Sequence, residues 1–78
     1  MSNRLYIGNL DYSTGQDELR QAFERFGVLS SVAVMTGKSR GFGIVEYESE
    51  KDARRASASL DGQDIDGRKI SVRVERRR

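Results

Sequence analysis

Apolar residues along this chain recur with two periods, and the switches between them mark six successive elements. Arg4 to Gly8 alternates, with Leu5 and Ile7 on one side and Tyr6 on the other, which predicts a short strand ending in the turn-prone Gly8-Asn9. Leu19, Ala22, Phe23 and Phe26 then recur at helical spacing, predicting a helix over roughly 15–26. Thr14 is its expected cap, with Asp17 three residues on, and Gly27 its expected left-handed stop. Leu29, Val32 and Val34 supply the inward residues of a second strand, and the polar turn Thr36-Gly37-Lys38-Ser39 leads into a third over 40–48. Ser49 is placed to cap a second helix whose buried stripe is Ala53, Ala56 and Leu60, and Asp61-Gly62 stops it. Ile65 and an Asp66-Gly67 turn precede a last strand with Ile70, Val72 and Val74 inward and Ser71, Arg73 and Glu75 outward. Arg76-Arg77-Arg78 reads as a solvated basic tail.

The order strand, helix, strand, strand, helix, strand implies an α+β, ferredoxin-like βαββαβ sandwich. Two right-handed crossovers place both helices on one face of a four-stranded antiparallel sheet and bring the first and third strands together at its centre. The 78 residues hold one domain with one small core, expected over about 4–75, with 76–78 as the tail.

The third strand carries more apolar surface than such a domain can cover. Gly41, Gly43, Val45 and Tyr47 face one way; Arg40, Phe42, Ile44 and Glu46 face the other. Helices shield a single side, so Phe42 and Ile44 are left toward solvent. Tyr6 joins them, because Leu5 and Ile7 are needed in the core, and the two aromatic residues are expected to be neighbours on the helix-free face. An exposed aromatic row on a small domain marks a binding surface.

Composition removes several chemistries. Histidine and cysteine are both absent, which excludes disulfides, the common zinc sites and Ser-His or Cys-His catalysis. No cofactor or metal is expected. Net charge is only +2 with a pI near 9.3, so the whole-molecule field argues weakly for a polyanionic partner. Distribution says more: cations collect at Lys38 and Arg40, at Arg68 and Lys69, and from Arg73 to Arg78. No stretch approaches the ~18 apolar residues of a membrane span, and Met-Ser-Asn-Arg lacks the apolar core of a secretion signal, so an intracellular protein without membrane contact is expected.

At these residues the chain resembles the RNA-recognition motif family, from Arg4 to about Arg76. Leu5-Tyr6-Ile7-Gly8-Asn9-Leu10 is similar to the family's hexamer on the first strand, and Arg40 to Tyr47 to its octamer, where six of seven defined positions match. The resemblance implies that Tyr6 and Phe42 stack on two successive unpaired bases, at about 1–3 kcal/mol per base. It implies that Arg40 pairs with phosphate, that Gly41 and Gly43 let the helices approach behind the strand, and that Arg73 and Glu75 reach base edges. Arg4, Lys38, Asn9 and Arg76 complete the expected RNA contacts. The chain departs from the family at Ile44, where an aromatic usually meets the sugars, and in its short hairpin turn.

Plainer roles stand beside these. Either ring alone would suit core packing; shared parity on an uncovered face favours stacking. Ile44 suits any strand, Asn9 is first a turn residue, and Lys38, Arg40 and the terminal arginines can be merely solvated. Gly41-Phe42-Gly43 lies in a strand and lacks the phosphate-loop pattern. The expected function is therefore single-stranded RNA binding by a monomer, without catalysis. The family's usual setting implies mRNA processing, splicing or other post-transcriptional regulation, with other RNA-processing proteins as possible partners, in the nucleus or shuttling to the cytoplasm. The alternative is a protein-interaction module on the same fold, against which the retained aromatics argue; an enzyme is a distant third.

Overall fold

Along β1 (Arg4–Leu10), side chains alternate between burial and exposure from Arg4 to Ile7, the signature of a strand with one covered face. The computed structural model describes residues 3–11, 13–36 and 41–75. Its elements run β1, α1 (Gln16–Glu24), β2 (Leu29–Thr36), β3 (Gly41–Tyr47), α2 (Glu50–Leu60), β4 (Asp64–Ile65), β5 (Arg68–Lys69) and β6 (Ser71–Val74). The main sheet has the order β2-β3-β1-β6, antiparallel throughout, with β1 and β3 central as the crossover rule requires.

Both helices lie on one side, because Leu19 and Phe23 of α1 and Ala53, Ala56 and Leu60 of α2 bury the stripe that their spacing predicts. They close on Leu5, Ile7, Val45, Tyr47 and Val72 of the sheet to form one core. Gly43 sets how near α1 comes: a Cβ there would stand 2.6 Å from Leu19 Cδ2 and 3.1 Å from the Ala33 carbonyl. The glycine lets the helix approach behind β3, as expected. Tyr47 spans the same core and donates its hydroxyl to the Phe23 carbonyl at 2.8 Å, so its polar end is satisfied although fully buried.

Four local expectations need correction. The first strand does not end at Gly8-Asn9. It continues to Leu10 through a bulge, in which Ile7 opposes Gly43 but Leu10 opposes Gly41. The extra residue reverses parity, so Leu10 joins Leu5 and Ile7 in the core, and Asn9 takes the left-handed conformation at φ 62° that the bulge needs. Asn9 is thus a bulge residue and not part of a connecting turn.

Thr14 does not cap α1. Gly15 occupies the cap position, where its N–H donates to Glu18 Oε1 at 2.9 Å. Thr14 is instead buried and donates its hydroxyl to Asp66 Oδ2 at 2.7 Å, tying the start of α1 to the β4–β5 turn. Gly27 stands two residues beyond the Arg25 cap at φ 159°, a positive value but far from the left-handed helical region expected of the stop; a Cβ there would run into the Asp52 side chain. Ser49 does sit at the α2 cap, but its hydroxyl makes no capping bond.

The connection from Ile65 is itself a small hairpin. Asp66 and Gly67 both have positive φ, which joins β4 to β5 through the tight turn favoured by Asp-Gly. Asp61, ending α2, accepts the Val72 N–H at 2.8 Å and so closes one donor of edge strand β6. No helix among the described residues is long and apolar enough to cross a membrane.

Candidate nucleic-acid interface

The sheet face opposite the helices is built from side chains of alternate parity on four strands. Ala33, Ile44, Tyr6 and Arg73 form one row across β2, β3, β1 and β6, paired directly in register. Met35 and Phe42 pair in the adjacent row, beside Gly8 and Ser71 on β1 and β6. Tyr6 is 43% exposed, Phe42 47% and Met35 39%, while Leu5 and Ile7 are closed off. Aromatic surface is thereby held open on the two central strands, with Met35 beside it on edge strand β2.

Tyr6 and Phe42 are diagonal neighbours. Ile44 lies directly across from Tyr6, and Phe42 sits two residues further along the same strand. Diagonal pairs on adjacent strands stand roughly 7–8 Å apart, far enough for each ring to carry its own base. Ile44, half-buried, fills the centre between Tyr6 and Ala33.

Charge at one end of the face is already arranged. Arg4 stands 3.3 Å from Glu46 on β3 and 3.6 Å from Glu75 beyond β6. The same Glu75 accepts the Tyr6 hydroxyl at 3.1 Å, and its backbone N–H donates to the Arg4 carbonyl. Arg4 and Glu75, both expected at the RNA, thus form a bracket that fixes the Tyr6 ring. Arg73 differs: it is exposed, lies directly across from Tyr6, and has no ion pair among the described residues. It therefore stands beside the exposed Tyr6 on the open face.

Asn9 points its amide away from this row. Its Nδ2 donates to the Lys69 carbonyl at 2.7 Å and its Oδ1 accepts from Arg68 at 2.7 Å, which straps β5 to the end of β1. Lys38, Arg40 and Arg76, three expected contacts, lie outside the described residues, as do Tyr12, most of the hairpin turn and the rest of the tail. Met35 is the side chain that sequence reasoning passed over. The signal was present, because Met35 alternates with the inward Val32 and Val34 and must face outward.

Among the described residues no group of His, Cys, Asp or Glu could hold a metal ion, and the acidic groups of the face are bound to Arg4 and Tyr6.

A sheet with these two aromatics, backed by two helices in this order, belongs to a recognised class. The RNA recognition motif model matches residues 5–71, and the chain belongs to that family of non-enzymatic RNA-binding domains. It is 41% identical over 78 residues to glycine-rich RNA-binding protein 1 of Mycosarcoma maydis, covering 95% of this chain and 45% of that protein. It is 42% identical over 81 residues to the chloroplastic 28 kDa ribonucleoprotein of Spinacia oleracea, covering 99% of this chain and 35% of that one. The crystal structure of RNA-binding protein PG1 superposes with a TM-score of 0.87 at 40% identity, over 99% of this chain and 98% of that chain. The chain therefore spans about half or less of each of these two curated relatives. Relatives named mitochondrial and chloroplastic occur side by side, so the family does not assign one compartment.

Proposed function

We propose that this domain binds a short single-stranded RNA, about two to four nucleotides, across the open sheet face. One observation carries the reading: Tyr6 and Phe42 stand exposed on the two central strands, on the face that the helices leave uncovered. Each ring takes one base, and because every base has a π face, such stacking tolerates many sequences. Met35 and Ile44 add apolar contact around the bases and sugars, and Arg73 offers an exposed cation beside Tyr6. Lys38, Arg40 and Arg76 are proposed to add phosphate contacts from the flanking segments. Glu75 and Arg4 hold Tyr6 in place, and from there Glu75 is proposed to reach base edges.

The cellular setting is carried from the family's usual one, a step of mRNA processing or other post-transcriptional regulation. Nuclear location rests on that usual role alone, since relatives named for organelles share the domain. Chemical-shift mapping with a short mixed-sequence RNA tests the reading. Shifts should concentrate at Tyr6, Ala33, Met35, Phe42, Ile44 and Arg73; shifts centred on α1 and α2 instead would refute it.

A further inference from the structure

On the helical side, the end of α1, the connection into β2 and the first turns of α2 enclose an open groove of about 700 Å³. Its apolar wall is Phe26, Val28 and Leu29. Val28 is 65% exposed, more than either aromatic residue of the sheet face, and nothing in RNA stacking uses it. Three arginines, Arg20, Arg25 and Arg55, line the same groove, against two carboxylates, Glu24 and Asp52. Arg55 stands 3.8 Å from Asp52 Oδ1, and the Arg25 guanidinium lies over the Phe26 ring at 5.3 Å. Arg20 and Arg25 have no ion pair among the described residues.

We propose that this groove docks a short peptide segment of a partner protein, one carrying an aliphatic or aromatic anchor flanked by one or two Asp or Glu residues. The anchor packs on Val28 and on the open edge of Phe26, and the flanking carboxylates meet Arg20 and Arg25. Charge complementarity selects such a peptide over a nucleic acid. Glu24 and Asp52 interrupt the cationic surface, so a continuous phosphate chain meets repulsion where isolated carboxylates can avoid it. The Phe26 ring also has the Arg25 guanidinium over one face and cannot offer that face to a base. Because the groove and the sheet aromatics lie on opposite sides, RNA and peptide can be held together, and the domain can join a transcript to a protein.

The test is a random-peptide display selection on the intact chain, followed by titration of the enriched peptides. Enriched sequences should place a large apolar residue next to Asp or Glu, and their affinity should fall roughly tenfold or more with Val28→Asp, the loss of a central anchor. Arg25→Glu should weaken them as well, while both variants keep their circular dichroism spectrum and their RNA affinity. Val28 and Arg25 are exposed, so the fold survives either change. The proposal is overturned if no such sequences are enriched, if Val28→Asp leaves peptide affinity unaltered, or if a short RNA displaces the peptides. It is equally overturned if the two variants weaken RNA binding instead, which would make the groove an RNA surface.

Discussion

The Tyr6 hydroxyl donates to Glu75 Oε2 at 3.1 Å, while the other oxygen of that carboxylate stands 3.6 Å from Arg4 Nε. One acidic residue therefore links the ring proposed to stack on RNA to the cation at the start of the same strand. Tyr6→Phe removes the tether but keeps the π face. Affinity for a short single-stranded RNA, read by fluorescence titration, should then fall by no more than about 1 kcal/mol, the worth of one solvent-accessible hydrogen bond. Tyr6→Leu should cost about 1–3 kcal/mol, the value of a stacked base. Equal losses in the two variants would mean that the hydroxyl, and not the ring, carries the contact.

Ile44 lies directly across from Tyr6 and from Ala33, at the centre of the open face, and offers apolar contact without a π face. One aromatic of the family's usual set is missing, so the domain alone should bind at about micromolar Kd or weaker, roughly −8 kcal/mol or smaller in magnitude. Ile44→Phe should tighten binding by about 1 kcal/mol with little change in melting temperature. Looser binding by the correctly folded variant would show that this position does not limit affinity.

Gly43 is tested by stability instead. An added methyl group must displace Leu19, which is fully buried, or the Ala33 carbonyl of the neighbouring strand. Gly43→Ala should cost about 1–3 kcal/mol, as overpacking of a tight core does. Thermal or urea denaturation reads it; an unchanged midpoint would show that α1 can retreat from the sheet.

How far the sequence discloses this structure depends on the range of each interaction. Alternation assigns Tyr6, Phe42 and Arg73 to one face because the pleat makes parity a strict rule, and helical spacing likewise identifies Leu19, Phe23, Ala53, Ala56 and Leu60. The bulge at Asn9 escapes such a reading, since it is defined by the register of a partner strand more than thirty residues away. Thr14 looks like a cap for the same reason: its true partner, Asp66, is 52 positions distant, and no local pattern announces it. Met35 follows the parity rule but carries no charge or ring to draw notice. The Arg4–Glu75 bracket needs β1 and β6 to be adjacent, which topology implies, but the pairing of particular side chains emerges only in three dimensions.

Tyr47 predicts an alkaline limit to stability. Its hydroxyl is buried against the Phe23 carbonyl, and burial pushes its pKa well above the ordinary tyrosine value, with Asp52 adding to the rise. The folded state therefore retains this proton at pH values where the unfolded chain loses it. The contribution is fully present below about pH 10 and is lost as pH rises through the folded-state pKa. Chemical denaturation from pH 7 to pH 11 should show a steeper loss above pH 10 in the native chain than in Tyr47→Phe. The variant itself should be about 1 kcal/mol less stable at pH 7 through the lost hydrogen bond. Parallel losses in the two proteins would assign the alkaline limit to other groups.

The most direct measurement is RNA titration of the variant carrying both Tyr6→Ala and Phe42→Ala, with its fold checked by circular dichroism. Both side chains are open to solvent in the free domain, so the fold should persist. Two stacking contacts should be lost together, about 2–6 kcal/mol in all, which abolishes measurable binding of a short RNA. Native affinity in the folded double variant would contradict the sheet face as the RNA site.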